Sequence, residues 1–195
     1  MTLRLNMGSA MHPALAPWVN VEAIWRDTHP KPDILLSDYD YSLTDAIADV
    51  YGEDATVSAI YAGHTLEHID QHIIVGVISE WFNLIEPGGE LGVCQPDVNI
   101  ALQYYKDGLI PLRDLHRHME VGDVWDEDRW ETWYRDGQLD SFAMHSWNSV
   151  PERVYGLLRA VGFVVEPREP TRAGMVGWPL TGFGGAQLAC VGRKP

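Results

Sequence analysis

The sequence predicts a single α/β domain over residues 1–195, built on a seven-stranded, mostly parallel sheet whose last strand is antiparallel. Helices are expected on both faces, with an insertion after the fifth strand. Three observations carry this. Strand-like and helix-like segments alternate along the chain, as they do where helices cover a parallel sheet. The last two strand-like runs have no helix signal between them, only a glycine-rich stretch, so a long antiparallel hairpin is expected there. Finally, 195 residues at 46% apolar content support one full-sized core rather than two.

The first strand is Leu3–Met7, ending at Gly8, and the second is Trp18–Glu22. The short connection between them holds Pro13 and Pro17, which leaves no room for a full crossover helix. Asp33–Asp38 is the third strand. A short helix follows, with Ser42 or Thr44 as its N-terminal cap and Gly52 just past its end. Val57–Ala62 is the fourth strand and leads into Gly63 and His64. The clearest helix spans Asp70 to Ile85. Ile74, Val77, Ile78, Trp81, Phe82 and Ile85 recur at helical spacing, and Pro87-Gly88-Gly89 stops it.

Glu90–Gln95 is the fifth strand, ending at Pro96-Asp97. Ser149-Val150-Pro151-Glu152 has the capping-box pattern and opens a helix carrying Val154, Leu157, Leu158 and Val161, closed by Gly162. Phe163–Glu166 and Ala186–Val191 are the last two strands. Residues 98–148 form the insertion, in which Tyr104, Tyr105, Trp125, Trp130, Trp133, Tyr134 and Trp147 are interleaved with acids. It lies where open α/β folds bind ligands, so it suits a lid or substrate wall. A peripheral helical cap and a homodimer surface suit it equally well.

Lys and Arg total 14 against 28 Asp and Glu, a net charge of -14. Such a surface repels phosphate backbones and argues against a nucleic-acid groove. No apolar run is long enough to span a bilayer, and no basic segment followed by a long apolar stretch opens the chain. Cys94 and Cys190 sit in apolar runs and read as buried thiols. A cytoplasmic protein acting on a small molecule is the expectation.

Four stretches together are distinctive. Leu5-Asn6-Met7-Gly8-Ser9-Ala10 precedes Trp18-Val19-Asn20-Val21-Glu22. Tyr61-Ala62-Gly63-His64-Thr65-Leu66-Glu67-His68-Ile69 follows. Next comes Leu84-Ile85-Glu86-Pro87-Gly88-Gly89-Glu90-Leu91, running into Gln95-Pro96-Asp97, and last Ala160-Val161-Gly162-Phe163. In order and spacing they resemble the small class I S-adenosylmethionine-dependent methyltransferases, over nearly the whole chain. The resemblance implies a Rossmann-like fold and S-adenosyl-L-methionine as cofactor. It assigns Gly8, Ser9 and Ala10 to the glycine motif, although the family usually shows Gly-x-Gly there. Asp38 and Tyr39 match the positions flanking adenine, and Ala62, Gly63 and His64 match those beside the methionine part.

The residue chemistry runs parallel to this. Gly8 has no Cβ to keep a ligand from the backbone. Glu22, ending the second strand, suits both ribose hydroxyls. The neutral imidazole of His64 suits proton removal from an acceptor near pH 7, and it suits a structural histidine as well. Asp97 fits orientation of a hydroxyl or amine, or a turn or cap. His145, in His145-Ser146-Trp147-Asn148, matches a histidine-aromatic stretch of relatives and is a second catalytic candidate. Glu67 fits stabilisation of the next helix's N-terminus, and His68 fits packing. His116 and His118, two apart, do not share a helix face, so no metal site is expected.

The leading expectation is methyl transfer from S-adenosylmethionine to an oxygen or nitrogen of a small or carbohydrate-like acceptor. The alternative is a non-catalytic binding or scaffold protein on the same fold. A nicotinamide enzyme ranks last, because no helix follows the first strand to capture phosphate.

Overall fold

The computed structural model of the chain describes residues 1–8, 13–23, 30–36, 42–112, 115, 149–171, 174–179 and 186–195. The strands are β1 (Thr2–Met7), β2 (Trp18–Glu22), β3 (Ile34–Leu35), β4 (Thr56–Gly63), β5 (Ile85–Pro96), β6 (Val164–Arg168) and β7 (Gln187–Arg193). They form one sheet in the order β3-β2-β1-β4-β5-β7-β6. β1 runs parallel to β2 and β4, β2 to β3, and β4 to β5. β7 is antiparallel to both of its neighbours, so the hairpin read from the glycine-rich stretch is present.

Period-two patterning fixes which side of each strand is buried against helices. Leu3, Leu5 and Met7 of β1, Val19 and Val21 of β2, Ile60 and Ala62 of β4, Leu91 and Val93 of β5, and Leu188 and Cys190 of β7 all enter the main core. Against this face pack α1 (Leu43–Tyr51), α2 (Ile74–Leu84) and α4 (Pro151–Val161); α3 is Val98–Lys106. α2 buries Ile74, Val77, Ile78 and Trp81. Full burial of such side chains contributes about 1.5–3 kcal/mol each. Phe82 of α2 meets Phe163 edge-on, with ring centroids 4.8 Å apart.

On the opposite face the described residues offer aromatic packing. Trp178 lies 5.7 Å from both Trp18 and Tyr61, centroid to centroid. Its ring rests on Gly92, where a Cβ would come within 2.6 Å of it. The Arg4 guanidinium stacks over Trp18 at 4.2 Å.

The helix ends show how local chemistry sets boundaries. The Ser42 hydroxyl accepts from Asp45 N at 3.2 Å, so Ser42 is the cap of α1. Glu80 of α2 accepts at one oxygen from Ser42 Oγ, Thr44 N and Thr44 Oγ1, all within 3.1 Å. A carboxylate there also complements the helix dipole. Gly52 closes α1 at φ +88°.

Four boundaries differ from the sequence reading. α2 starts at Ile74, because Asp70 makes a turn first, its carboxylate accepting from His72 N at 2.7 Å. Pro87-Gly88-Gly89 follows α2 but lies inside β5, which begins at Ile85. The stop acts upstream: Pro cannot continue a helix and favours an extended residue before it. Chain extension therefore begins at Ile85, while Lys194 Nζ takes the carbonyls of Phe82 (2.8 Å) and Ile85 (2.7 Å). The capping box does not form. Val150 occupies the cap position of α4 with no side-chain bond, and the Ser149 carbonyl accepts from Val98 N instead. Pro151, which has no N–H to satisfy, starts the helix. Finally, the described part of β3 is Ile34–Leu35, shorter than expected; Asp38 lies outside the described residues.

Candidate cofactor site

Parallel strands deliver their carboxyl ends to one edge of the sheet. Here that edge carries Gly8 after β1, Glu22 closing β2, Gly63 closing β4 with His64 after it, and Asp97 after β5. Met7 pairs with Val21, so Gly8 and Glu22 stand one step further along adjoining strands. Gly8 N donates to Val21 O at 2.9 Å, which locks the two ends together. Glu22 is buried, and its Oε1 accepts from Ala23 N at 3.0 Å.

Gly8 has φ +65°, a conformation that favours glycine. The space its Cβ would fill is held by the Thr65 hydroxyl, 2.5 Å from the ideal Cβ position. That hydroxyl donates to Met7 O at 2.9 Å. The absent side chain thus admits Thr65, joining the β1 end to the turn after β4, where the sequence reading had a ligand in view.

Ala62 points its methyl into the main core, so only its backbone can face the edge. Gly63 pairs with Cys94 of β5, and His64 N donates to Cys94 O at 2.7 Å. His64 has φ +52°, uncommon for a residue with a side chain. Its Nδ1 is 3.3 Å from Glu67 Oε1, and its Nε2 is 3.2 Å from the Gln187 amide nitrogen. Glu67 is fully buried in a single 3₁₀ turn, Leu66–His68. It faces the His64 imidazole.

Asp97 caps α3, its Oδ1 accepting from Asn99 N at 2.9 Å. Burial pushes its carboxyl above the usual range, while backbone N–H groups pull the other way. Burial likewise pushes the Cys94 thiol up to about 12, so it stays protonated at neutral pH. Cys94 Sγ donates to Gln187 Oε1 at 3.1 Å.

Ser9, Ala10, Asp38, Tyr39 and His145 lie outside the described residues, as do His116, His118 and residues 116–148 of the insertion. The sequence assigns no site role to Thr65 or Gln187, and reads Cys94 only as a buried thiol, which it is. Glu67, three residues after His64 in one turn, gave the only local signal.

No family model matches the sequence, and no curated protein matches it significantly. Solved structures do match. The chain resembles a SAM-dependent methyltransferase from Archaeoglobus fulgidus at TM-score 0.54 and 12% identity, covering 98% of this chain and 86% of that one. It also resembles an O-methyltransferase family 2 protein from Planctomyces limnophilus, solved in complex with apigenin, at TM-score 0.50 and 11% identity. All of this chain is covered there, and 51% of the other. Human N-acetylserotonin methyltransferase in complex with SAM gives TM-score 0.50 at 12% identity, over 98% of this chain and 47% of that one. The chain thus spans about half the length of the last two. The strand order and these likenesses define the class: the chain has the class I S-adenosylmethionine-dependent methyltransferase fold. No described helix is long and apolar enough to cross a membrane.

Proposed function

We propose that the chain binds S-adenosyl-L-methionine across the ends of β1 and β2 and transfers its methyl group to an oxygen or nitrogen of a small or carbohydrate-like acceptor. One observation carries this reading. A buried carboxylate, Glu22, closes β2 beside the carboxyl end of the parallel strand β1. That acceptor chemistry fits a ribose diol, so the residues present fit the adenosyl end of the cofactor. The cofactor, when bound, supplies the electrophilic methyl group.

The chain's own residues do the rest. Glu22 accepts from the ribose hydroxyls. The backbone of Gly8 and Gly63 lines the edge, and Ser9, Ala10, Asp38 and Tyr39 extend the cofactor-binding set on sequence grounds. His64 accepts the proton released by the acceptor's hydroxyl or amine. Asp97 orients that group, with His145 as a further catalytic candidate. The rest of catalysis is alignment of donor and acceptor. Residues 98–148 form the wall or lid for the acceptor.

Titration calorimetry with S-adenosylmethionine and S-adenosylhomocysteine tests this. Heat and a thermal shift at submillimolar cofactor are expected. No heat and no shift at millimolar cofactor ends the enzyme reading.

A second reading, a non-catalytic binding protein on this fold, draws on two engaged groups. The Nε2 of His64 already meets the Gln187 amide, and the carboxyl of Asp97 already caps α3. It expects cofactor binding without turnover across a panel of phenolic, amine and sugar acceptors.

A further inference from the structure

Four side chains from three parts of the sequence form one line of contacts at the turn after β4. Cys94 of β5 donates its S–H to Gln187 Oε1 at 3.1 Å. Gln187 Nε2, at the start of β7, lies 3.2 Å from His64 Nε2. His64 Nδ1 lies 3.3 Å from Glu67 Oε1. Cys94 and Glu67 are fully buried and Gln187 nearly so. Donor and acceptor roles are fixed from one end of this line. An amide nitrogen only donates, and an amide oxygen only accepts. A thiol that keeps its proton needs an acceptor, which is the Gln187 oxygen. The reversed amide would take away the oxygen that accepts this S–H. The Gln187 nitrogen therefore faces His64, and His64 Nε2 must accept. The imidazole proton then sits on Nδ1, on the side of the buried Glu67 carboxyl 3.3 Å away.

We propose that Gln187 is a positioning residue for His64: pinned by Cys94, its amide N–H selects the Nδ1–H tautomer and occupies the Nε2 lone pair until an acceptor's hydroxyl or amine takes its place. The tautomer of a histidine follows from the partner of its other nitrogen. Selection of the tautomer stands on geometry alone; only the displacement by an acceptor rests on the methyl-transfer reading. Displacement leaves proton bookkeeping simple. The acceptor's proton passes to Nε2, and the imidazolium keeps its Nδ1–H on the side of Glu67.

The test is the tautomer itself, read in the full chain without cofactor or acceptor. In histidine-15N-labelled protein, two-bond proton–nitrogen correlations distinguish the two forms, and His64→Gln identifies the signals. Wild type is expected to show Nδ1–H with a bare Nε2. Gln187→Glu replaces the donor by an acceptor and should put a proton on Nε2. Cys94→Ser keeps a donor on the amide oxygen and should preserve the wild-type pattern, whereas Cys94→Ala frees the amide and should give mixed tautomers. The proposal is overturned by an Nε2–H form in wild type, or by a pattern unchanged in Gln187→Glu with native circular dichroism. If Gln187→Glu fails to fold, the two Cys94 variants decide, and identical spectra from them refute it. Since cofactor is absent, calorimetric failure with this tautomer pattern intact sinks methyl transfer and leaves the positioning role standing.

Discussion

The hydroxyl of Thr65 stands where the side chain of residue 8 would be. Its oxygen lies 2.5 Å from the ideal Cβ of Gly8 and donates to the Met7 carbonyl at 2.9 Å. Gly8→Ala therefore carries two penalties, left-handed strain and an overpacked contact, together about 2–5 kcal/mol. In a Thr65→Ala background only the strain remains, about 1–2 kcal/mol. Urea denaturation of the four proteins checks this; equal costs in both backgrounds would remove Thr65 from the explanation.

Glu22 is the ribose partner in the proposed cofactor mode. Glu22→Gln keeps the shape and loses the charge, and the loss of a charge-assisted bond pair lowers affinity about 10- to 100-fold. Calorimetry with S-adenosylhomocysteine reads it directly, with circular dichroism as the folding control. An unchanged Kd moves the ribose away from β2.

For Asp97, the cap and the charge separate. Asp97→Ala removes the bond to Asn99 N and should cost about 0.5–2 kcal/mol, while Asn keeps a capping oxygen. Burial raises the folded-state pKa above the ordinary 3.8, so the folded form holds the proton more tightly. Asp97's contribution to stability is therefore greatest below 3.8 and declines as pH rises through the folded-state value. The melting temperature of wild type relative to Asp97→Asn should fall over that window. A wild-type advantage that grows with pH contradicts the burial argument.

Lys194 closes α2 from across the sheet, donating to Phe82 O, Asn83 O and Ile85 O at 2.8, 3.3 and 2.7 Å. Lys194→Met keeps the chain path and strips those bonds, leaving terminal carbonyls short of a charged donor. A loss of about 1–3 kcal/mol is expected in chemical denaturation. A variant as stable as wild type would mean that water replaces the ammonium at no cost.

The strands, the Ser42 cap, the Gly52 stop and the terminal hairpin were legible because each is written in neighbouring residues. Alternating Leu3, Leu5 and Met7 suffices to assign a buried strand face. Two of the misread boundaries involve a partner distant in the chain. Lys194 governs where α2 gives way to β5, and Val98 draws the carbonyl of Ser149. At the site, Gly8 and Glu22 could be placed because strand ends sit at predictable points. Gln187 could not, since it meets His64 across 123 positions and Cys94 across 93. Thr65 reaches Met7 across 58. No periodicity reports on such pairs; only the strand order brings them together.

The two margins of the sheet have a consequence for self-association. Among the described residues β3 presents two residues, and β6 carries Pro167 between Glu166 and Arg168, themselves ion-paired at 2.9 Å. A proline removes one ladder donor, and flanking charges resist desolvation. As described, neither border is a template onto which a further strand, from another copy or a partner, would readily zip. If the protein pairs with itself, the contact should be made through side chains, and it should leave backbone amide exchange along β3 and β6 unchanged.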